Sequence, residues 1–421
     1  MDSEASEWIL GPANDGNPPW GGPQNGFWGQ RMDSGASEWI LGPASLKAVG
    51  RALPAKSFAG GDVSRSAPLF SIDERVDRFR RYYARENERP LLGFYVGSEY
   101  PLFRYPAARS LPGDRPLRPD DFEVAPYLDD CERLFGEHEA CGGDFIWSAS
   151  AYWGIPWLEA ALGCPIIADH NTGSIRSEPP AEFAGPERIP EFDPKALWMR
   201  KAVEYIDRIA DRSAGRWPIG TTRMRGIADL LSALYGGDAF IYAMMDRPEE
   251  VRQVARRLTD FWIAFGRMQL ERIPLFYGGV GSFYYHMWAP AGTIWHQEDA
   301  AALLSPDLYD EFIREHDQRI AESFDGCIMH QHPTAFVPTK FYLEMPFIAL
   351  ELHIDEGGPD AETLEPVHRK ILARKPLLIW GHLSEQDLDR IFGRLPAAGL
   401  AVMTCVDGPE QAGRLWRRCI G

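Results

Sequence analysis

His330 and His332 close an apolar run, Gly326-Cys327-Ile328-Met329-His330-Gln331-His332-Pro333. If residues 327–330 form a buried strand, the two imidazoles sit at i and i+2 and project to one face where the strand ends. That is a metal-ligand spacing. A third donor, Cys405, falls at the polar end of the last apolar run, residues 399–407. Two imidazoles and one thiolate leave a fourth tetrahedral position open, the arrangement of a catalytic rather than a structural zinc. Taken singly, a His-x-His is as compatible with a hydrogen-bonded strand end, and a lone cysteine with a small core residue. The metal reading therefore rests on His330, His332 and Cys405 acting together.

Further chemistry lies nearby. Glu351-Leu352-His353-Ile354-Asp355 alternates, so three ionisable side chains share one face of a strand. Buried together they are costly unless paired. They form either a structural ion network or a working group, with Glu351 as a general base or fourth ligand and His353 and Asp355 behind it. Tyr284-Tyr285-His286-Met287-Trp288 and Trp295-His296-Gln297-Glu298-Asp299 flank a Pro-Ala-Gly turn. They read as aromatic packing or as a lid over an apolar or methylated ligand, with Tyr285 and Trp288 in contact and His286 and Gln297 as the polar candidates. Arg223-Met224-Arg225-Gly226 follows a strand and precedes a helix, where Arg223 and Arg225 suit an anionic group at the helix N-terminus. Trp380-Gly381-His382 ends a further strand and offers Trp380 and His382 to a ligand.

The elements that must position these residues alternate. Strand-like runs are expected at residues 91–96, 144–147, 217–221, 275–280, 327–330, 346–354, 376–380 and 400–406. Helices are expected at 73–88, 157–162, 196–212, 226–235, 248–272, 305–322, 361–373, 384–392 and 409–419. Capping side chains and first-turn acids mark starts at Asp246-Arg247-Pro248, Ser305-Pro306-Asp307 and Ser384-Glu385-Gln386-Asp387. Eight strands, no Gly-rich loop after the first, and polar residues at strand C-termini favour an α/β fold of the (β/α)8 TIM barrel type over a doubly wound sheet. One domain over residues 70–421 is expected.

Residues 1–60 differ from the rest. Met1 to Ala13 recurs as Met32 to Ala44 with Gly35 in place of Glu4, and a Gly, Pro, Asn and Trp-rich stretch lies between. Such a segment cannot bury enough surface to fold alone, so a disordered arm is expected. It reads as a tandem duplication or as a docking motif, Glu-Trp-Ile-Leu-Gly-Pro, held twice.

A formal charge of −17 and the lack of any basic run argue against nucleic-acid binding. No apolar stretch has membrane-spanning length and no signal-peptide pattern opens the chain, so a cytoplasmic protein with its six cysteines as thiols is expected.

Three segments carry a family likeness: Pro156-Trp157-Leu158-Glu159-Ala160-Ala161-Leu162-Gly163-Cys164-Pro165, Met245-Asp246-Arg247-Pro248-Glu249-Glu250-Val251, and Asp299 through Leu304-Ser305-Pro306-Asp307-Leu308-Tyr309. From about residue 70 onward the chain resembles the uroporphyrinogen decarboxylase superfamily. The resemblance implies a (β/α)8 barrel and two kinds of activity: metal-free decarboxylation in haem biosynthesis, marked by Arg-Gln-Ala-Gly-Arg, or zinc-dependent methyl transfer between a corrinoid protein and a thiol, marked by His-x-Cys and a distant Cys. The first motif is missing; the corresponding region reads Phe94-Tyr95-Val96-Gly97-Ser98-Glu99-Tyr100-Pro101. Against the second, His330 and Cys405 match, and His332 stands where the first cysteine would be. The expected function is thus a zinc-dependent methyl transferase with a corrinoid protein as partner, activating a thiol or hydroxyl acceptor. Metal-free decarboxylation, or a non-catalytic binding protein working through its arm, are the rivals.

Overall fold

The computed structural model describes residues 66–333 and 337–421. The duplicated segment and the rest of the expected arm lie outside the described residues.

Among the described residues, the centre is a six-stranded parallel sheet in the order Leu91–Val96, Leu400–Val406, Leu377–Gly381, Ala349–Ile354, Gly326–Gln331, Thr293–Gln297. Nearly every residue of these strands is buried, which is why they read as continuous apolar runs rather than alternating ones. The register decides which residues meet at the polar ends. Gln297 pairs with His330 and His330 with Glu351. His353 pairs with Trp380, and Tyr95 with Cys405.

Both edges of the sheet continue into extended segments. Beside Leu91–Val96, the Asp144 N–H donates to the Leu92 carbonyl at 2.9 Å, and its carboxylate accepts from the Leu92 N–H at 2.9 Å. Gly93 is required at this seam, because a Cβ there would meet the Phe145 ring at 2.2 Å. Parallel bridges then join Ala149 to Ile219 and Arg225 to Gln297, the last reaching the opposite edge strand.

Amphipathic helices cover the sheet. Ile72–Ala84 starts with a Ser71–Glu74 capping box, and Glu385–Arg394 with a Ser384–Asp387 one. Ser305 caps Pro306–Phe312 as expected, but that helix breaks at Ile313 and resumes as Arg314–Glu322. At Pro248–Leu270 the expected capping side chain is not used: Arg247 is the N-cap, and Asp246 ends the preceding helix Ala239–Asp246. That helix and Val124–Cys141 are not expected from periodicity.

Three strand expectations are corrected. Residues 144–147 and 217–221 form no strand and reach their neighbours only through hydrogen bonds and isolated bridges. Residues 275–280 do not enter the parallel sheet; Tyr277 and Gly278 both take positive φ, and only Gly279–Gly281 is extended, paired antiparallel with Trp288–Pro290. The strand that joins Gly326–Gln331 is instead Thr293–Gln297.

Candidate functional site

The C-terminal ends of these strands surround a cavity of about 210 Å³. Asp299, His330, His332, His353 and Asp355 line one side, with Arg223, Tyr284, Tyr285 and Glu99 around the rest.

The two histidines of the His-x-His pair are held alike. His330 Nδ1 contacts the Glu351 carboxylate and lies 2.8 Å from the Tyr285 hydroxyl. His332 Nδ1 donates to Asp355 Oδ1 at 2.7 Å. With each Nδ1 bound to a carboxylate, each Nε2 is turned toward Asp299 Oδ1, 3.6 Å from His330 and 4.0 Å from His332. Asp299 is itself fixed by its other oxygen, which accepts from Gln297 Nε2 at 2.7 Å. Its Oδ1 is buried and accepts no hydrogen bond, and the same is true of Glu351 Oε1 and Asp355 Oδ2. A buried carboxylate oxygen without a donor is costly unless something else meets it.

Electrostatics reflect the geometry. Burial works against charge on His332, yet Asp355, Asp299 and Glu351 outweigh it and lift the ring to about 10. Asp355 is held down at about 2 because His332 overcomes its burial. Asp299 is likewise lowered against its burial by His332 and His330. Burial drives His353 well below the ordinary histidine range; its ring packs on Trp380 at 4.5 Å between centroids, with Glu351 and Asp355 at 3.9 and 3.7 Å.

The expected three-ligand set is not assembled. Cys405 groups with Glu99 and His382, all ligating atoms within 4.8 Å of one another, whereas His330 and His332 group with Asp299. The reason is sheet order. Leu400–Val406 lies between Leu91–Val96 and Leu377–Gly381, so its polar end meets the loops that leave those two strands, which carry Glu99 and His382. His382 is pushed up to about 11 by Cys405 and Glu99, while burial raises the Cys405 thiol.

Two other candidates stand away from the cavity. His286 is packed among Tyr95, His138 and Trp147, its Nδ1 accepting from the Ser148 N–H at 3.3 Å. Trp288 lies in the small antiparallel pair, donating to the Phe276 carbonyl. Neither lines the cavity. Trp380 is buried beneath it, against Tyr95, Tyr284 and Tyr285.

The two arginines differ. Arg225 is spent on Glu159 and Asp229, at 3.1 and 3.3 Å. Arg223 meets no carboxylate within 4.0 Å among the described residues; its one polar contact is the Gly154 carbonyl at 3.5 Å, and its Nε is buried without a partner.

Sequence reasoning passes over Asp299 and Glu99. Asp299 lies two residues beyond Thr293–Gln297, a strand whose aromatic residues resemble a loop, so its alternation with Gln297 is hidden. Glu99 has no distinguishing signal beyond its place after the first strand.

No family model matches this sequence, and no curated protein does.

Proposed function

We propose that the chain is a metal-dependent methyl transferase, with zinc held by Asp299, His330 and His332 and the six parallel strands closing with the two bridged segments at their edges as a (β/α)8 barrel. The observation that carries the metal is the convergence of two Nε2 atoms on an unpartnered Asp299 Oδ1, each histidine being backed by a carboxylate. Histidines that bind metals commonly donate their other N–H to a carboxylate, which fixes tautomer and orientation. Zinc in this site supplies Lewis-acid activation of a thiol or hydroxyl acceptor. The barrel reading rests on the bridges that link both sheet edges through residues 143–149 and 217–225.

The chain's own groups then divide the work. Glu351 and Asp355 orient the two imidazoles, and Gln297 turns Asp299 toward them. Arg223, with free donors beside the cavity, binds an anionic group on the acceptor. Tyr284, Trp153 and Phe283 wall the cavity and exclude water from the transferred carbon. Methyl as the group, and a corrinoid protein as its source, come from the family resemblance of the sequence.

The test uses the full chain, stripped of metal and then restored with zinc, with methylcobalamin as donor and 3-mercaptopropionate as acceptor. Thioether should form only with zinc, and Arg223→Met should raise KM for this acceptor far more than for uncharged ethanethiol. Equal transfer with and without zinc, or none from the zinc-loaded protein, would overturn the reading.

A further inference from the structure

We propose that Glu99, His382 and Cys405 form a second zinc-binding centre, separate from the Asp299, His330 and His332 set. The two groups share no residue. This second set is built by three sheet neighbours: Glu99 follows Leu91–Val96, Cys405 lies in Leu400–Val406, and His382 follows Leu377–Gly381. Parallel strands bring their C-terminal ends to one side, so donors that are far apart in sequence arrive within reach of a single ion.

His382 bonds both Cys405 and Glu99 directly, and the spacing leaves room for a metal between the three. Glu99 Oε2 and His382 Nε2 are 3.4 Å apart, longer than a good charge-assisted hydrogen bond, which spans about 2.7–2.9 Å. Two ligands each about 2.1 Å from a tetrahedral zinc are separated by roughly 3.4 Å. All three ligating atoms lie within 4.8 Å of one another, so small side-chain rotations close the set.

Donor chemistry selects the ion. One sulfur, one nitrogen and one oxygen fit zinc and its thiophilic neighbours and exclude magnesium and calcium, which take oxygen ligands. A thiolate and a carboxylate together neutralise a dication; the Cys405 proton and the proton on His382 Nε2 both leave to solvent as the metal binds. The His382 side chain is 50% exposed, which gives an ion a route in and leaves a fourth position open. Glu99 also lines the cavity, so a metal here faces the same chamber as the first site from the other end of the sheet.

The assignment stands whether or not the first site carries methyl transfer, because its readout is a thiolate ligand rather than turnover. Cobalt(II) titrated into the metal-stripped full chain should bind at two per chain and give the near-ultraviolet charge-transfer absorption of a thiolate ligand. Cys405→Ser and His382→Ala should each lose that absorption and one cobalt, while His332→Ala loses one cobalt and keeps the absorption. If Cys405→Ser fails to fold by circular dichroism, Glu99→Gln, at a partly exposed carboxylate, replaces it and should weaken cobalt binding at the thiolate site alone. Absence of the band in the wild-type chain overturns the proposal, as does rapid alkylation of Cys405 unaffected by saturating cobalt. Loss of the band in His332→Ala with retention in His382→Ala also overturns it, and would join Cys405 to the histidine pair.

Discussion

His296 meets Asp317 at 2.8 Å and Glu298 at 3.8 Å with none of the three side chains exposed, a second group of histidine and carboxylate side chains only a few residues from the cavity set, with one histidine and two acids where that set has two histidines and one acid. In this closed group every carboxylate oxygen is used. Asp317 accepts from His296 and from the Tyr309 hydroxyl, and Glu298 accepts the Ile227 and Ala228 N–H groups at the start of Ile227–Tyr235. The cavity group instead leaves Asp299 Oδ1, Glu351 Oε1 and Asp355 Oδ2 without a donor. Residue type therefore does not separate a structural cluster from a binding one. The direction of the unspent lone pairs does.

That contrast can be broken most directly at its closed end. His296→Ala should cost about 3–5 kcal/mol of stability by leaving a buried acid unpaired, with metal content unchanged; thermal denaturation and elemental analysis read the two effects. A metal loss without a stability loss would reverse the roles of the groups.

At the open end, His332→Ala should weaken zinc at the cavity site by more than about 100-fold, beyond the loss typical of a supporting residue, while the melting temperature of the metal-free protein falls little. Competition with a chromophoric chelator measures it.

Asp355→Asn tests the support rather than the ligand. Its expected cost is about 10–100-fold in zinc affinity, because His332 loses the carboxylate that orients it. An unchanged affinity would mean that His332 needs no such partner.

Acid should act on other closed regions. Burial lowers His368 to about 3 and His138 to about 4, so the folded rings refuse a proton that the unfolded chain accepts below about 6.5. Stability is full above that pH and falls as pH drops, by about 1.4 kcal/mol per unit for each ring until its folded value is reached. Urea midpoints for the wild type, His368→Gln and His138→Gln between pH 7 and 5 should show the shallower slope in the variants.

Much of this organisation is legible in the chain. Apolar runs ending in polar residues place Leu91–Val96, Gly326–Gln331 and Leu400–Val406, and the alternation from Glu351 to Asp355 puts two carboxylates where they meet the His-x-His pair. Partnership is the part that periodicity does not carry. Cys405 has a ligand's chemistry, but which histidine it meets is decided by the order of strands in the sheet, and sheet order is a long-range property. Thr293–Gln297 is hidden for a local reason: Trp295 and His296 among aromatic neighbours resemble a packed loop. At 275–280 the reverse occurs, since an apolar Leu275-Phe276-Tyr277 looks extended until Tyr277 and Gly278 turn the backbone.

The pairing of Leu91–Val96 with Leu400–Val406 has a consequence for synthesis. About three hundred residues must emerge between the two halves of that ladder, so during translation Leu91–Val96 and Leu377–Gly381 both present bare edges able to recruit a foreign strand. Closing so large a loop costs little more entropy than closing a smaller one, since each doubling adds only about 0.6 kcal/mol; the delay is in time, not in stability. A chain released before residue 400 would thus carry His330 and His332 already made yet lack the strand that joins Leu91–Val96 to the rest of the sheet, and its fate is aggregation or capture by a chaperone rather than a stable partial fold.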